Sequence, residues 1–131
     1  MIFAYTLEQV ISGQKSQTRR LAKPDEVLHD QSRVMKGKRV LYEVGRSYAV
    51  QPNRGKKSVA RIVLTGLKKE PVSKISDADA QAEGYKTRAE FLTAWRTIHG
   101  KNADLNAEVW VLAFKLQTAD DDVLEKIRAN G

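Results

Sequence analysis

The sequence predicts an α+β domain: a small mixed β-barrel, partly open, with short helices at its ends. Three observations carry that expectation. Residues 58–67 are rich in β-branched and aliphatic side chains, with Val59, Ile62, Val63 and Leu64, and residues 108–116 are apolar on both alternating faces. Between them lie two short helical segments, each opened by its own capping signal, and a further short helix precedes everything. Strands at both ends of a helical insert, in one chain of 131 residues with 41% apolar content, fit a single core.

Thr6 and Gln9 read as a capping box, and Leu7, Val10 and Ile11 form an apolar face, so a helix is expected over residues 7–12 and should stop at Gly13. The next stretch, Gly13-Gln14-Lys15-Ser16-Gln17-Thr18-Arg19-Arg20, brings an amine, a hydroxyl and two guanidiniums together. On a regular strand, residues three apart point to opposite faces, so Lys15 and Thr18 meet only at a turn or a kinked strand entry. Arg19 and Arg20 offer planar, permanently charged forks suited to phosphate. Residues 22–47, with Pro24 and the run Lys36-Gly37-Lys38-Arg39, read as a long excursion holding one strand near 39–43. Residues 47–51 form a strand ended by Pro52-Asn53-Arg54-Gly55, and residues 58–67 form a largely buried one.

Ser76 with Asp79 and Thr87 with Glu90 mark two helix starts, and Gly84 lies between, where a left-handed turn would end the first. Phe91, Trp95 and Ile98 fall at i, i+4 and i+7, a core-packing stripe that closes at Gly100. Residues 108–116 place Trp110, Leu112 and Phe114 on one face and Val109 and Val111 on the other, so this strand is central and Trp110 belongs to the core. The domain is therefore drawn over residues 1–117. Residues 118–131 are an acidic tail, either a peripheral helix through Val123, Leu124 and Ile127 or a frayed end.

Composition excludes several chemistries. The absence of cysteine removes thiolate catalysis, Cys-bound zinc and disulfides. His29 and His99 stand far apart without ligand spacing, so no metal site and no cofactor are expected, and His99 reads as a helix C-terminal residue favoured by the macrodipole. No apolar run approaches the roughly 20 residues that span a bilayer, and the first residues lack the basic start of an export signal, so a cytoplasmic protein without a membrane partner is expected. Charge is uneven: residues 1–75 carry sixteen Lys/Arg against six Asp/Glu, and residues 76–131 seven against ten, giving +10 and −3 within the overall +7. Basic, glycine-punctuated loops suit a polyanion, and they equally suit a solubilising surface.

Several motifs in one order resemble the ASCH domain (activating signal cointegrator homology), a branch of the PUA-like superfamily. They are residues 11–20, Val44-Gly45-Arg46-Ser47-Tyr48-Ala49-Val50-Gln51-Pro52, Ala80-Gln81-Ala82-Glu83-Gly84-Tyr85, then Phe91, Trp95 and Val109-Trp110-Val111-Leu112. The resemblance spans residues 6–116. It implies a PUA-like β-barrel with a cleft between barrel and helices, and an association with RNA and modified nucleosides. One bacterial branch, the N4-acetylcytidine amidohydrolases, is similar at three positions: its lysine falls on Lys15, its threonine on Thr18, and its glutamate, in an Ala-x-x-Glu context, on Glu83. This chain departs from that branch by the excursion over 22–47 and by the added helix containing Phe91 and Trp95.

The chemistry of those three residues follows from their types. A threonine hydroxyl becomes a nucleophile when a base takes its proton, and Lys15 serves if burial or the nearby Arg19 and Arg20 lower its pKa. Glu83 would hold the lysine or pass a proton to the departing amine. The competing arrangement is a Lys15–Glu83 salt bridge pinning the first helix to the barrel, with Thr18 an ordinary strand residue. Arg19, Arg20, Tyr48, Gln51, Arg54, Lys56 and Lys57 are the candidate contacts to nucleic acid or substrate, Tyr48 and Gln51 by stacking on and reading a base, or as core and rim residues. RNA or a modified nucleoside is the expected partner, with DNA as a second. A non-catalytic nucleic-acid module, a metal-independent ribonuclease and a protein-interaction domain stand as alternatives, and oligomeric state is left open.

Overall fold

The computed structural model describes residues 1–130. It is an α+β arrangement with short helices, as the sequence predicts, and its strands form two antiparallel sheets. Its centre is the pair β6 (Ala60–Pro71) and β7 (Glu108–Ala119), two twelve-residue strands. They are flanked by β1 (Gln17–Leu21) and β5 (Ser47–Val50) in the order β1-β7-β6-β5. The two apolar faces of β7 explain its central place. Trp110, Leu112 and Phe114 pack with Phe3, Val10, Ile62 and Leu64 on one side. Val109 and Val111 pack with Val72, Ile75, Phe91, Leu92 and Trp95 on the other. The strand β6 runs four residues beyond the expected end at Leu67, and its pairing with β7 slips at Arg61/Ile62 and Leu64/Gly66. At the second slip a Cβ on Gly66 would lie 3.3 Å from that of Ala113, so glycine fits the closest approach of the two strands.

Residues 22–47, read from sequence as one strand in a long excursion, instead form a three-stranded meander of β2 (Glu26–His29), β3 (Arg33–Lys36) and β4 (Arg39–Glu43). The first turn holds Asp30 and Gln31 at φ 52° and 57°, a left-handed pair made without glycine, and so without the usual hairpin signature. The meander is tied to the main sheet at two points. The Trp110 indole donates to Glu26 Oε1 at 2.9 Å, and the link from β4 to β5 bonds β6, Gly45 N–H to the Leu64 carbonyl at 2.7 Å and Leu64 N–H to the Arg46 carbonyl at 3.0 Å. Trp110 is in the core, as expected.

The helices are α1 (Leu7–Ile11), α2 (Asp77–Ala82), α3 (Arg88–His99) and α4 (Asp121–Asn130). Ser76 and Thr87 cap α2 and α3 as predicted, accepting from Asp79 and Glu90 N–H. Thr6 does not cap α1: its side chain makes no such bond and is buried instead. The stripe of α3 also differs, since Phe91, Leu92 and Trp95 are buried whereas Ile98 is 43% exposed. In α4, Val123 and Leu124 pack against the larger core. The side chain of Ile127, and Gly131, lie outside the described residues. Among the described residues no helix is long and apolar enough to cross a membrane.

Candidate active site

The site is built where the chain turns from α1 into β1. Gly13, at φ 81°, ends the helix, and Lys15 N–H then bonds the Gln9 carbonyl at 2.8 Å while Ser16 N–H bonds the Ala82 carbonyl at 2.7 Å. This kinked entry lets α1, β1 and the end of α2 share one corner. Gly84, at φ 98°, makes the approach feasible: a Cβ there would stand 3.2 Å from Gln9 Cγ and 3.8 Å from Lys15 Cβ. Glu83, the residue closing α2, is thereby delivered against Lys15.

Lys15 Nζ donates to Glu83 Oε1 at 2.9 Å and to the Glu83 carbonyl at 3.1 Å. Glu83 Oε2 accepts from Arg19 Nη1 at 3.0 Å, and that nitrogen also reaches Gln17 Oε1 at 3.1 Å. The other arm of Arg19, Nη2, binds Glu70 Oε1 at 3.1 Å and Asp79 Oδ2 at 3.5 Å. The Arg19 side chain is 0% exposed. Three carboxylates therefore surround one enclosed guanidinium, and Glu83 bridges it to the lysine.

Beside this cluster, at the open edge of the four-stranded sheet, lies a cavity of about 240 Å³. Lys15, Thr18, Arg19, Arg20 and Glu83 all line it. Thr18 and Arg20 alternate with Gln17 and Arg19 along β1, so the two pairs take opposite faces, and the cavity at the strand edge meets both. Its other walls combine the aromatic Phe3, Tyr85, Phe91 and Trp95, with Tyr85 edge-on to Phe91 at 5.7 Å, and the aliphatic Ile2, Leu21 and Ile98. His99 stacks on Trp95 at 4.0 Å between centroids and also lines the cavity.

This environment shifts the titrating groups. Desolvation pushes the Lys15 pKa below its ordinary value; Glu83 opposes the shift, and the positive charges of Arg20 and Arg19 add to it. His99 is lowered by burial and then by Arg20, and Tyr85 is raised by burial and then by the Glu83 charge.

The structure thus gathers Lys15, Thr18, Glu83, Arg19 and Arg20 around one cavity. It does not leave Arg19 free for phosphate: the guanidinium expected to meet a ligand is consumed by carboxylates. Tyr48, Gln51, Arg54, Lys56 and Lys57 do not line the cavity. The Tyr48 hydroxyl accepts from Glu43 N–H at 2.8 Å and its ring packs on the core; Gln51 Nε2 donates to the Lys56 carbonyl at 3.0 Å; Arg54, Lys56 and Lys57 are exposed on the turn between β5 and β6. The sequence reading missed Phe3, Tyr5 and Thr6, because residues 1–3 reach the site by pairing with Gln51, far along the chain: Phe3 N–H bonds the Gln51 carbonyl at 2.9 Å and Gln51 N–H the Met1 carbonyl at 2.8 Å. It also gave His99 a purely helical role and Phe91 and Trp95 a purely core one. Tyr85 was within reach, as the residue directly after the glycine that brings Glu83 in.

No family model matches the sequence, and no curated protein does. Solved structures do match. An ASCH domain from Lactobacillus crispatus aligns with a TM-score of 0.65 at 18% identity over 85% of this chain and 69% of that one. A protein of Enterococcus faecalis V583, described as a member of DUF984, gives 0.58 at 18% over 87% and 71%. The ASCH protein of Zymomonas mobilis gives 0.53 at 14% over 100% and 78%. The chain has the fold of ASCH domains.

Proposed function

We propose that this ASCH-fold chain binds a modified nucleoside in the cavity beside β1 and hydrolyses the amide of an N4-acylated cytidine, with N4-acetylcytidine the first substrate to test. The observation that carries the reading is Lys15: an enclosed amine with a depressed pKa, lining the same cavity as the Thr18 hydroxyl. A neutral lysine has two N–H bonds and one lone pair. Both hydrogens have acceptors on Glu83, its carboxylate at 2.9 Å and its carbonyl at 3.1 Å, which leaves the lone pair for a proton from Thr18. The aromatic walls supply stacking surface for a base. A volume of about 240 Å³ is below the roughly 300–1,000 Å³ of drug-sized pockets and suits one base with its sugar.

Lys15 takes the Thr18 proton as Oγ1 attacks the amide carbonyl. The tetrahedral adduct collapses, the C–N bond breaks, and the departing cytosine amine recovers the proton from Lys15. A water deprotonated by the same lysine attacks the acyl-threonine ester, the acyl C–Oγ1 bond breaks, and Oγ1 takes the proton back from Lys15, releasing the acid and restoring Thr18 and the neutral amine. Glu83 orients Lys15 throughout, and Arg19 holds Glu83.

A second reading, a nucleoside or RNA-binding module without catalysis, is favoured by the engagement of Glu83 with both Lys15 and Arg19, the pattern of a structural ion-pair network. The deciding measurement is chromatographic release of cytidine from N4-acetylcytidine by the wild type, Lys15→Ala and Thr18→Ala. Turnover that disappears in both variants is the expected result. Binding without turnover in the wild type would transfer the site to the second reading.

A further inference from the structure

The cations lining the cavity are not equivalent. Lys15 and Arg19 each meet carboxylates, and all three carboxylates of the cluster, Glu70, Asp79 and Glu83, are held by those two residues. Arg20 meets none among the described residues. Its Nη2 donates to the Ile2 carbonyl at 2.8 Å, its guanidinium lies 5.2 Å over the Phe3 ring, and its Nε, like that of Arg19, is buried without an acceptor. A neutral carbonyl and a ring face orient a guanidinium without pairing its charge; the Glu83 carboxylate favours that charge from a distance but bridges Lys15 and Arg19 instead, and withdrawing a cation from water without a paired carboxylate is costly. The Arg20 charge is felt by its neighbours, lowering the pKa of both Lys15 and His99.

From this asymmetry we infer that Arg20 is an anion anchor in the cavity and that the ligand is a phosphorylated nucleoside, a nucleotide rather than a free nucleoside, with the phosphate on Arg20 and the base among the aromatic walls. The inference rests on the nucleoside reading of the cavity, though not on hydrolysis. Phosphate matches the guanidinium in charge and in fork geometry, and it gives the orphaned N–H an acceptor. It also divides the work along β1. Thr18 and Arg20 project from the same face two residues apart, so the reacting hydroxyl and the phosphate anchor act on one bound molecule, while Arg19, on the opposite face, stays with Glu83.

The phosphate can belong to a mononucleotide or to an RNA chain, and the test separates the two. Calorimetric affinities are measured for cytidine, cytidine 5′-monophosphate and a cytidine trinucleotide, on wild type, Arg20→Gln and Arg20→Lys. The wild type is expected to bind the monophosphate about tenfold more tightly than cytidine, a preference that shrinks with added salt. Arg20→Gln should lose it, and Arg20→Lys should keep part of it, because the charge remains without the fork. A trinucleotide that binds more tightly still supports the anchor and assigns the phosphate to RNA; equal or weaker binding supports it and assigns a mononucleotide. Equal affinity of the wild type for cytidine and its monophosphate, a preference retained in Arg20→Gln, or no binding of any of the three overturns the anchor. Because the readout is binding, a site that holds the monophosphate without hydrolysing an amide would sink the amidohydrolase reading alone, and hydrolysis with no phosphate preference would sink the anchor alone.

Discussion

Two basic regions of this molecule look alike in sequence and differ in kind. Lys15, Arg19 and Arg20 sit in and around an aromatic cavity, where each charge has a defined neighbour: a carboxylate, a shared carboxylate cluster, or a ring face and a carbonyl. Arg54, Lys56 and Lys57 sit exposed on a turn between β5 and β6. Both sets add equally to a formal net charge of +7, yet only the first is withdrawn from water. The difference teaches that a count of basic residues bears on polyanion affinity, whereas the chemistry of a site depends on which charges are withdrawn from water and what they face there.

The largest effect expected from breaking that contrast is at Arg19. Arg19→Met removes the guanidinium but leaves Glu70, Asp79 and Glu83 facing one another around an apolar stem. Removing one member of a buried ion network costs about 3–5 kcal/mol, so urea denaturation should show a loss on that scale. A variant as stable as the wild type would mean that the cluster relaxes into solvent and that Arg19 is a ligand contact after all.

Glu83→Gln keeps the shape of the side chain and removes its charge. Arg19 retains two carboxylates, so the expected loss is smaller, about 1–3 kcal/mol. The more telling readout is pH. Glu83 is what opposes the depression of the Lys15 pKa, so without it that pKa falls further. If Lys15 is the base, the rising limb of the pH–rate profile for N4-acetylcytidine moves to lower pH in this variant. A limb that stays in place would remove Lys15 from that role.

The same depression predicts a stability signature that needs no substrate. Between the lowered folded pKa of Lys15 and its unfolded value near 10.4, the unfolded chain binds more protons than the folded one, so the Lys15 contribution to stability rises with pH through that window. Tyr42, Tyr48 and Tyr85 are raised in the folded protein and act with the opposite sign above about pH 10, where they stay protonated while the unfolded chain ionises. The difference between wild type and Lys15→Met isolates the lysine. It should grow in favour of the wild type as pH rises toward 10, and a flat difference would contradict a desolvated amine.

The parts of this fold legible in the sequence were those specified locally. Ser76 and Thr87 cap their helices through bonds three residues away, Gly84 takes the left-handed turn its neighbours require, and the two apolar faces of β7 mark a strand covered on both sides. The meander over residues 22–47 was not legible because its strands are four and five residues long and its first turn puts Asp30 and Gln31 at positive φ without a glycine. The part of the cavity wall contributed by residues 2–6 was hidden for another reason. Phe3 and Thr6 reach it only after residues 1–3 pair with Gln51, and no local pattern announces a contact at that separation. Lys15, Thr18 and Glu83 could be nominated from motif resemblance, but the contrast between Arg19 and Arg20 depends on partners more than fifty residues away.

The smallest effect tests the exposed half of the comparison. Replacing Arg54, Lys56 and Lys57 together by serine removes no carboxylate bridge among the described residues, so the thermal midpoint should move by no more than about 2 °C. If single-stranded RNA crosses this turn, its affinity should fall uniformly across sequences, and the dependence of log K on log salt should become shallower by about 2, since each phosphate neutralised contributes roughly 0.7. A change in base preference instead would place the turn against the bases, and the division between a solvated basic turn and a chemically specific cavity would have to be redrawn.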